Sequence, residues 1–147
     1  MAEAGKWLDE HASTGIQYAN MSLDPATNPG RPVVWVGDSL SAVRGFPRAV
    51  RNEVGFALYQ AQMGAKHVHA KPLKGFGSGV LEIVSDTRGD TFRAVYTVRF
   101  SNRVYVLHAF QKKAKTGIAT PKSEIDLIRQ RLKRAMQLHE EWEKRDE

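Results

Sequence analysis

The most regular hydrophobic pattern in the chain lies between residues 80 and 110, where apolar and polar positions alternate. Residues 80–84, 91–100 and 103–110 are rich in β-branched and aromatic side chains, which is typical of strands. Turn residues separate these runs, and Ser101-Asn102 is the signal of a tight hairpin. The pattern therefore predicts a three-stranded antiparallel meander.

One further strand and two helices are predicted before the meander. The run Val-Val-Trp-Val at residues 33–36 has the composition of a buried strand. Residues 40–45 are expected to form a short helix, for which Asp38 or Ser39 offers an N-cap. A longer helix is expected over residues 47–63, because its apolar residues recur at helical spacing.

The rest of the chain is predicted to contribute a loop and a C-terminal helix. Residues 65–79 are rich in glycine and are expected to form a loop throughout. Thr120 is expected to cap the last helix, with Pro121 at its first helical position. The basic run from Arg129 to Arg134 is interpreted as a solvated helix face. The order strand, two helices, three strands, helix is that of a small α+β domain.

The composition limits the chemistry that the chain can perform. Of its 147 residues 41% are hydrophobic, enough for the core of one domain, and none is cysteine. A disulfide framework, a thiol nucleophile and a cysteine zinc site are therefore excluded. No apolar run approaches the ~20 residues of a membrane span, and the N-terminus lacks the pattern of a signal peptide. We expect a cytoplasmic protein without a membrane partner, in which residues 1–31 are an extension and linker and residues 32–147 form the domain.

The distribution of charge points to an anionic partner. The formal net charge is +6, and the excess lies in residues 44–115, which contain thirteen lysines and arginines against four acidic residues. A basic middle of this kind favours a nucleic acid as partner. A basic surface that only confers solubility explains the same composition, so charge alone leaves both interpretations open.

Two short patterns are considered as ligand sites and rejected. His67 and His69 flank one residue, but two histidines without a third ligand do not make a metal site. Gly75, Gly77 and Gly79 are spaced like a phosphate-binding loop, yet no helix start with Lys-Ser or Lys-Thr follows them. We therefore expect neither a metal nor a nucleotide cofactor.

The predicted meander offers a better candidate site, because it gathers cations, an imidazole and an aromatic ring on one concave face. His108 and Phe110 share a face, since they are two residues apart on one strand. Arg93 lies on the neighbouring strand, where a cross-strand pair with Glu82 is the structural alternative. RNA chemistry needs cations that hold a phosphate, a proton-transfer group and a ring for base stacking. The candidates are Lys71, Lys74, Arg88, Arg93, His108, Phe110, Lys112 and Lys113.

A series of short motifs shares its order and spacing with a known family. The motifs are Leu73-Lys74-Gly75, Leu81-Glu82-Ile83, Phe92-Arg93-Ala94-Val95-Tyr96, Leu107-His108-Ala109-Phe110-Gln111-Lys112-Lys113 and Thr120-Pro121. Together they resemble the RelE/ParE superfamily, and within it the phage-derived, HigB-like toxins of type II toxin–antitoxin systems. The resemblance covers residues 33–140.

The resemblance implies a ribosome-dependent mRNA endonuclease that is neutralised by a helix-turn-helix antitoxin of the HigA type. In such enzymes the RNA 2′-hydroxyl attacks the adjacent phosphate, and no metal is required. Carried over position by position, it implies catalytic roles for Lys74, Arg93, His108 and Lys112. It implies RNA-binding roles for Lys71, Arg88, Phe110, Lys113 and Lys115.

One departure from the family pattern and two rival functions remain. The family often has an arginine where this chain has Val84, and Arg88 in the following turn is a candidate substitute. The first rival is a non-enzymatic inhibitor of DNA gyrase, as in the ParE branch. The second is a catalytically inactive RNA-binding domain. The oligomeric state and the identity of the antitoxin stay open.

Overall fold

The computed structural model describes residues 30–112 and 120–145, which form a mixed α+β domain as predicted. In chain order the described elements are β1 (Val33–Trp35), α1 (Ser39–Arg44), α2 (Arg48–Gln62), β2 (Ala70–Pro72), β3 (Val80–Thr87), β4 (Asp90–Thr97), β5 (Val104–Lys112) and α3 (Lys122–Arg145). No helix in these two ranges is long and apolar enough to cross a bilayer.

The five strands form one sheet in the order β1-β5-β4-β3-β2. The predicted meander β3-β4-β5 is confirmed, and β1 pairs with β5 in parallel. The prediction of a loop throughout residues 65–79 is wrong, because β2 pairs with β3 and places Lys71 opposite Glu82. This strand has no hydrophobic alternation of its own, and Pro72 is tolerated because β2 lies at the edge.

The two turns of the meander differ in length. Arg88 and Gly89 alone join β3 to β4, and their φ values of 51° and 82° are those of a type I′ turn. Ser101-Asn102 form a turn between β4 and β5 as predicted, but the hairpin is not tight, since residues 98–103 separate the two strands. The Val98 amide continues the pairing of β4 with β3, because it donates to the Gly79 carbonyl at 2.9 Å.

Helices cover the sheet on both sides. One cluster of buried side chains joins α1 and α2 to the sheet, with Val50, Val54 and Leu58 of α2 against Ile83 and Phe92 of the strands. The second cluster lies on the opposite face, beneath the C-terminal helix α3. It contains Val80, Val95, Tyr105, Leu107, Ile128, Leu132 and Ala135. Any site on that face must therefore share it with α3.

A bulge in β5 decides which face His108 occupies. Val106 lies opposite Tyr96 and His108 lies opposite Val95, so Leu107 is an extra residue between the two pairs. In a strand with regular alternation, His108 would lie on the same face as Val106 and point toward α1 and α2. The bulge instead turns His108 toward α3, as bulges do where a side chain must be re-aimed.

The helix ends confirm some of the predicted caps and correct others. The predicted C-cap Gly64 lies one residue beyond the actual cap of α2, Met63, and there its φ is 82° and its amide donates a hydrogen bond to the Ala61 carbonyl at 3.1 Å. Asp38 precedes α1, but its side chain makes no cap bond. Thr120 is not the cap of α3, because Pro121 immediately precedes the helix and supplies the carbonyl that accepts the Ile125 amide at 3.0 Å.

Two glycines with the same backbone conformation provide a matched test of the β2–β3 loop. Gly79 and Gly89 have φ values of 83° and 82°. A Cβ at Gly79 would lie 3.1 Å from the Arg99 Cα, whereas a Cβ at Gly89 meets nothing within 4 Å. We expect Gly89→Ala to cost about 1 kcal/mol from the left-handed backbone alone. Gly79→Ala is expected to cost about 2–4 kcal/mol, because the crowding against Arg99 is added.

Urea unfolding of both variants and of the parent chain measures this difference. The parent provides the reference, and the Gly89→Ala variant is the control for backbone strain. Equal losses of unfolding free energy in the two variants would contradict the close approach of the Gly79 and Arg99 backbones.

Candidate functional site

The register of the sheet places the predicted site residues on the face covered by α3. Residues directly opposite one another on neighbouring strands point to the same side. Glu82, Val95 and His108 form one such row, and Arg93 and Phe110 belong to the next. The beginning of α3 lies beside these rows, so the site is a partly open cavity between the sheet and the helix and not the groove on a bare concave face that the sequence predicts.

This cavity has a volume of about 450 Å³. Its lining residues are Lys71, Pro72, Leu73, Lys74, Glu82, Arg93, Thr120 and Ile125. The edge strand β2 and the loop after it form one wall, and the start of α3 forms the other. Lys71, Lys74 and Arg93, predicted from separate parts of the sequence, thus meet in one cavity.

A buried ion pair occupies the sheet side of this cavity. The Arg93 Nη1 atom donates to Glu82 Oε2 at 2.9 Å, and both side chains are only 7% exposed. The cross-strand pairing that the sequence offered as a structural alternative is therefore present. The same Nη1 atom lies 3.3 Å from the Thr120 hydroxyl, which ties the start of α3 to the sheet.

The cations around Glu82 outnumber its single charge. The Lys71 Nζ atom lies 3.9 Å from Glu82 Oε1, and its side chain is largely exposed. Lys74 is exposed and forms no ion pair with another residue of the described ranges. One carboxylate thus faces Arg93 and two lysines, which leaves a net positive cavity that suits a phosphate group.

His108 lies on β5, on the same face of the sheet but outside the cavity lining, and both of its ring nitrogens are engaged. Nε2 contacts the Glu124 carboxylate, and Nδ1 lies 3.1 Å from Arg131 Nη1. Arginine has only donors, so Nδ1 accepts the hydrogen bond and the ring proton faces Glu124. A Glu–His pair, which is not apparent in the sequence, is therefore formed between β5 and α3.

The prediction that the basic run of α3 is a solvated face holds for the exposed Arg129, Lys133 and Arg134 but is wrong for Arg131. Its side chain is 14% exposed and donates to the Leu107 carbonyl at 3.1 Å and to the Asp38 carboxylate at 2.6 Å. The spacing along the sequence is the feature that could have indicated this burial, because Glu124, Ile128 and Arg131 recur at helical intervals on the buried side of α3.

Asp38 completes this network from the N-terminal end of α1. The hydrogen bond from Arg131 holds the pKa of the Asp38 carboxyl below its ordinary value. The carboxylate thus serves the contact between α1 and α3, which explains why it does not cap α1. The sequence indicates Asp38 only as a cap, because nothing local to it indicates a partner so far along the chain.

Three more of the predicted site residues within the described ranges lie outside the cavity lining. Phe110 is half-buried, and its ring stacks on His108 at a centroid distance of 5.0 Å. Lys112 is buried at the end of β5, opposite Thr91. Arg88 is exposed in the β3–β4 turn. Val84 lies opposite Arg93 on the paired strand, and the distance along β3 from Val84 to Arg88 is about 13 Å. Lys113 and Lys115 lie outside the described residues.

Comparison with protein families decides what kind of chain carries this site. The model of the phage derived protein Gp49-like family (DUF891) matches residues 41–133, well over half of the chain. This chain belongs to the Gp49-like family. The matched range runs from α1 into α3 and includes every residue that lines the cavity.

The Gp49-like family is a family of RelE/HigB-like toxins, so the resemblance found in the sequence is confirmed at this level. Neither the curated proteins nor the solved structures contain a match to this Gp49-like chain. Membership identifies a toxin-like protein of the RelE kind. The reaction of this Gp49-like chain has to be argued from its cavity.

Proposed function

We propose that this Gp49-like chain is the toxin of a type II toxin–antitoxin system and cleaves mRNA on the ribosome. The observation that carries the proposal is the cavity in which Lys71, Lys74 and Arg93 meet. A cognate helix-turn-helix antitoxin of the HigA type is the proposed neutralising partner. The toxin-like family and the basic middle of the chain support the same function.

The proposed reaction uses a nucleophile that RNA itself contains. The 2′-oxygen forms a bond to the adjacent phosphorus, and the bond from phosphorus to the 5′-oxygen breaks. Negative charge accumulates on the phosphate oxygens in between. Cations fixed before the reaction stabilise this charge more effectively than water, because they need not reorganise.

The two principal cations of the cavity have different tasks in the proposed reaction. Lys74 is exposed at the loop, where it contacts the RNA backbone as it enters. Arg93 is held at the sheet by Glu82 and Thr120, so its guanidinium has a fixed direction. A fixed guanidinium suits the crowded phosphorane, while a flexible lysine suits the initial capture of the phosphate.

The β5 residues supply the remaining parts of the proposed site. His108, oriented by Glu124 and Arg131, transfers a proton or contacts the RNA. Phe110, stacked on His108, shapes the path of a base. Lys112 stabilises the reacting phosphate from the end of β5. Arg88, Lys71 and the two lysines at positions 113 and 115 contact the RNA backbone.

A translation reaction supplemented with the purified full chain tests the proposal. We expect new mRNA 5′ ends that appear only when ribosomes are present, as mapped by primer extension. Intact mRNA together with inhibited DNA supercoiling would favour the gyrase inhibitor instead. RNA binding that weakens steeply with salt but produces no new ends would favour the inactive RNA-binding domain.

A further inference from the structure

A second cluster of polar side chains lies on the other side of β2, away from the basic cavity. His67 and His69 belong to the segment that leads into β2, and Glu53 belongs to α2. One ligand atom from each of the three lies within 4.8 Å of the others. The third ligand that the sequence lacked near the two histidines is therefore supplied by the packing of α2.

The arrangement of this cluster is close to that of a bound transition metal. A tetrahedral ion with ligands at about 2.0–2.1 Å holds them about 3.3 Å apart. The His69 Nδ1 atom already lies 3.0 Å from Glu53 Oε2. Two imidazoles and one carboxylate suit Zn²⁺, whereas Mg²⁺ and Ca²⁺ prefer oxygen ligands.

The surroundings of the cluster leave room for a further ligand. A hollow of about 320 Å³ adjoins the three side chains, and Asn52 and Phe56 contribute to its lining. His67 is 6% exposed, and its ring packs edge-on against Phe56, so its position is fixed. Its Nδ1 atom accepts the His69 amide at 2.9 Å, and a metal at this nitrogen would replace that one hydrogen bond.

We propose that Glu53, His67 and His69 bind one Zn²⁺ ion, with water as the fourth ligand. The ion ties the segment entering β2 to helix α2. Since β2 begins at Ala70, directly after His69, the ion also fixes the edge strand that carries Lys71. This proposal does not depend on the proposed RNA cleavage, because neither Glu53 nor the two histidines line the basic cavity.

Calorimetric titration of the untagged full chain with Zn²⁺ tests the site. We expect one ion per chain, and at least tenfold weaker binding in Glu53→Gln and in His69→Asn. Both variants change side chains that are not fully buried, so they preserve the fold; circular dichroism verifies this. Glu140→Gln, at an exposed carboxylate of α3, and His11→Asn are matched controls that should bind as the parent does.

Thermal unfolding provides a second readout that excludes nonspecific binding to histidines. Zn²⁺ is expected to raise the melting temperature of the parent and of both controls, because the ion binds the folded chain. It should leave the melting temperatures of Glu53→Gln and His69→Asn unchanged. The proposal is overturned if no ion binds stoichiometrically, or if these two variants bind Zn²⁺ as tightly as the parent.

Discussion

Replacing Arg93 by lysine is expected to abolish growth inhibition while the chain remains folded. Lysine keeps the positive charge beside Glu82, so no buried carboxylate is left without a counter-charge. Lysine lacks the planar guanidinium group, which can donate two hydrogen bonds to one phosphate. Removing one fixed donor to a developing oxyanion costs about 10²–10³-fold in rate. We expect mRNA cleavage in the translation reaction to slow by that factor.

The lysine variant is more informative than Arg93→Ala, because Arg93→Ala removes the proposed catalytic cation and lowers the folding free energy at the same time. That variant removes the buried partner of Glu82 and leaves only the exposed Lys71 near its carboxylate, and breaking a buried pair costs about 3–5 kcal/mol of folding free energy. Its inactivity would therefore be ambiguous. The double variant Arg93→Ala, Glu82→Gln removes both charges, and we expect it to be folded and inactive. Arg134→Lys, on the exposed side of α3, is the matched control and should retain full toxicity.

Growth after induced expression and primer extension of the cleaved mRNA provide the readouts, with urea unfolding as the test of the fold. Toxicity retained in Arg93→Lys would reduce Arg93 to a cation without a directional role. Toxicity retained in the double variant would remove Arg93 from the site altogether.

Replacing His108 by glutamine is expected to slow cleavage by about 10²–10⁴-fold and to weaken RNA binding much less. Glutamine can still donate to Glu124 and accept from Arg131, so the contacts between β5 and α3 persist. What it loses is the ability to exchange a proton, which has an effect of this size in general acid–base catalysis. Single-turnover cleavage rates and RNA-binding affinities, measured on the same variant, separate the effect on the reaction from the effect on binding.

Glu124→Gln extends the same test to the partner of His108. If the two residues act as a pair, the double variant should be hardly slower than either single variant. His139→Gln is a matched control, because His139 is also buried and its Nδ1 atom contacts the Tyr105 hydroxyl at 2.9 Å. It lies about 22 Å along α3 from Glu124, and its cleavage rate should equal that of the parent.

Two outcomes would change the role of His108. Equal losses of cleavage and binding in His108→Gln would make it an RNA-binding residue. Unchanged cleavage with a lowered unfolding free energy would make the Glu124–His108–Arg131 network purely structural. In that case the proposed reaction would rest on Arg93 and Lys74 alone.

The site residues that could be predicted are those whose position depends on one strand or one hairpin. His108 and Phe110 share a face because strands have a period of two, and their rings indeed stack. Arg93 and Glu82 lie on paired strands joined by a short turn, and their ion pair was foreseeable. Such relations depend on neighbours in the chain, which the sequence displays directly.

The features that the sequence did not predict depend on how strands and helices from distant parts of the chain pack together. The strand β2 forms because β3 presents an unpaired edge to it, and nothing in Ala70–Pro72 itself favours a strand. The bulge at Leu107 turns His108 toward α3, although a regular alternation would turn it away. Arg131 was predicted to face solvent, but its side of α3 packs against the sheet.

The sequence by itself determined the order of the elements apart from β2, the meander and the resemblance to a toxin-like family. These features follow from local hydrophobic periods, turn residues and short motifs, which act over a few residues. Only the tertiary structure decided that the start of α3 forms one wall of the basic cavity and that Glu53 joins the two histidines. Contacts between residues far apart in the chain are set by the packing of whole faces, because burying apolar surface governs how helices and sheet meet.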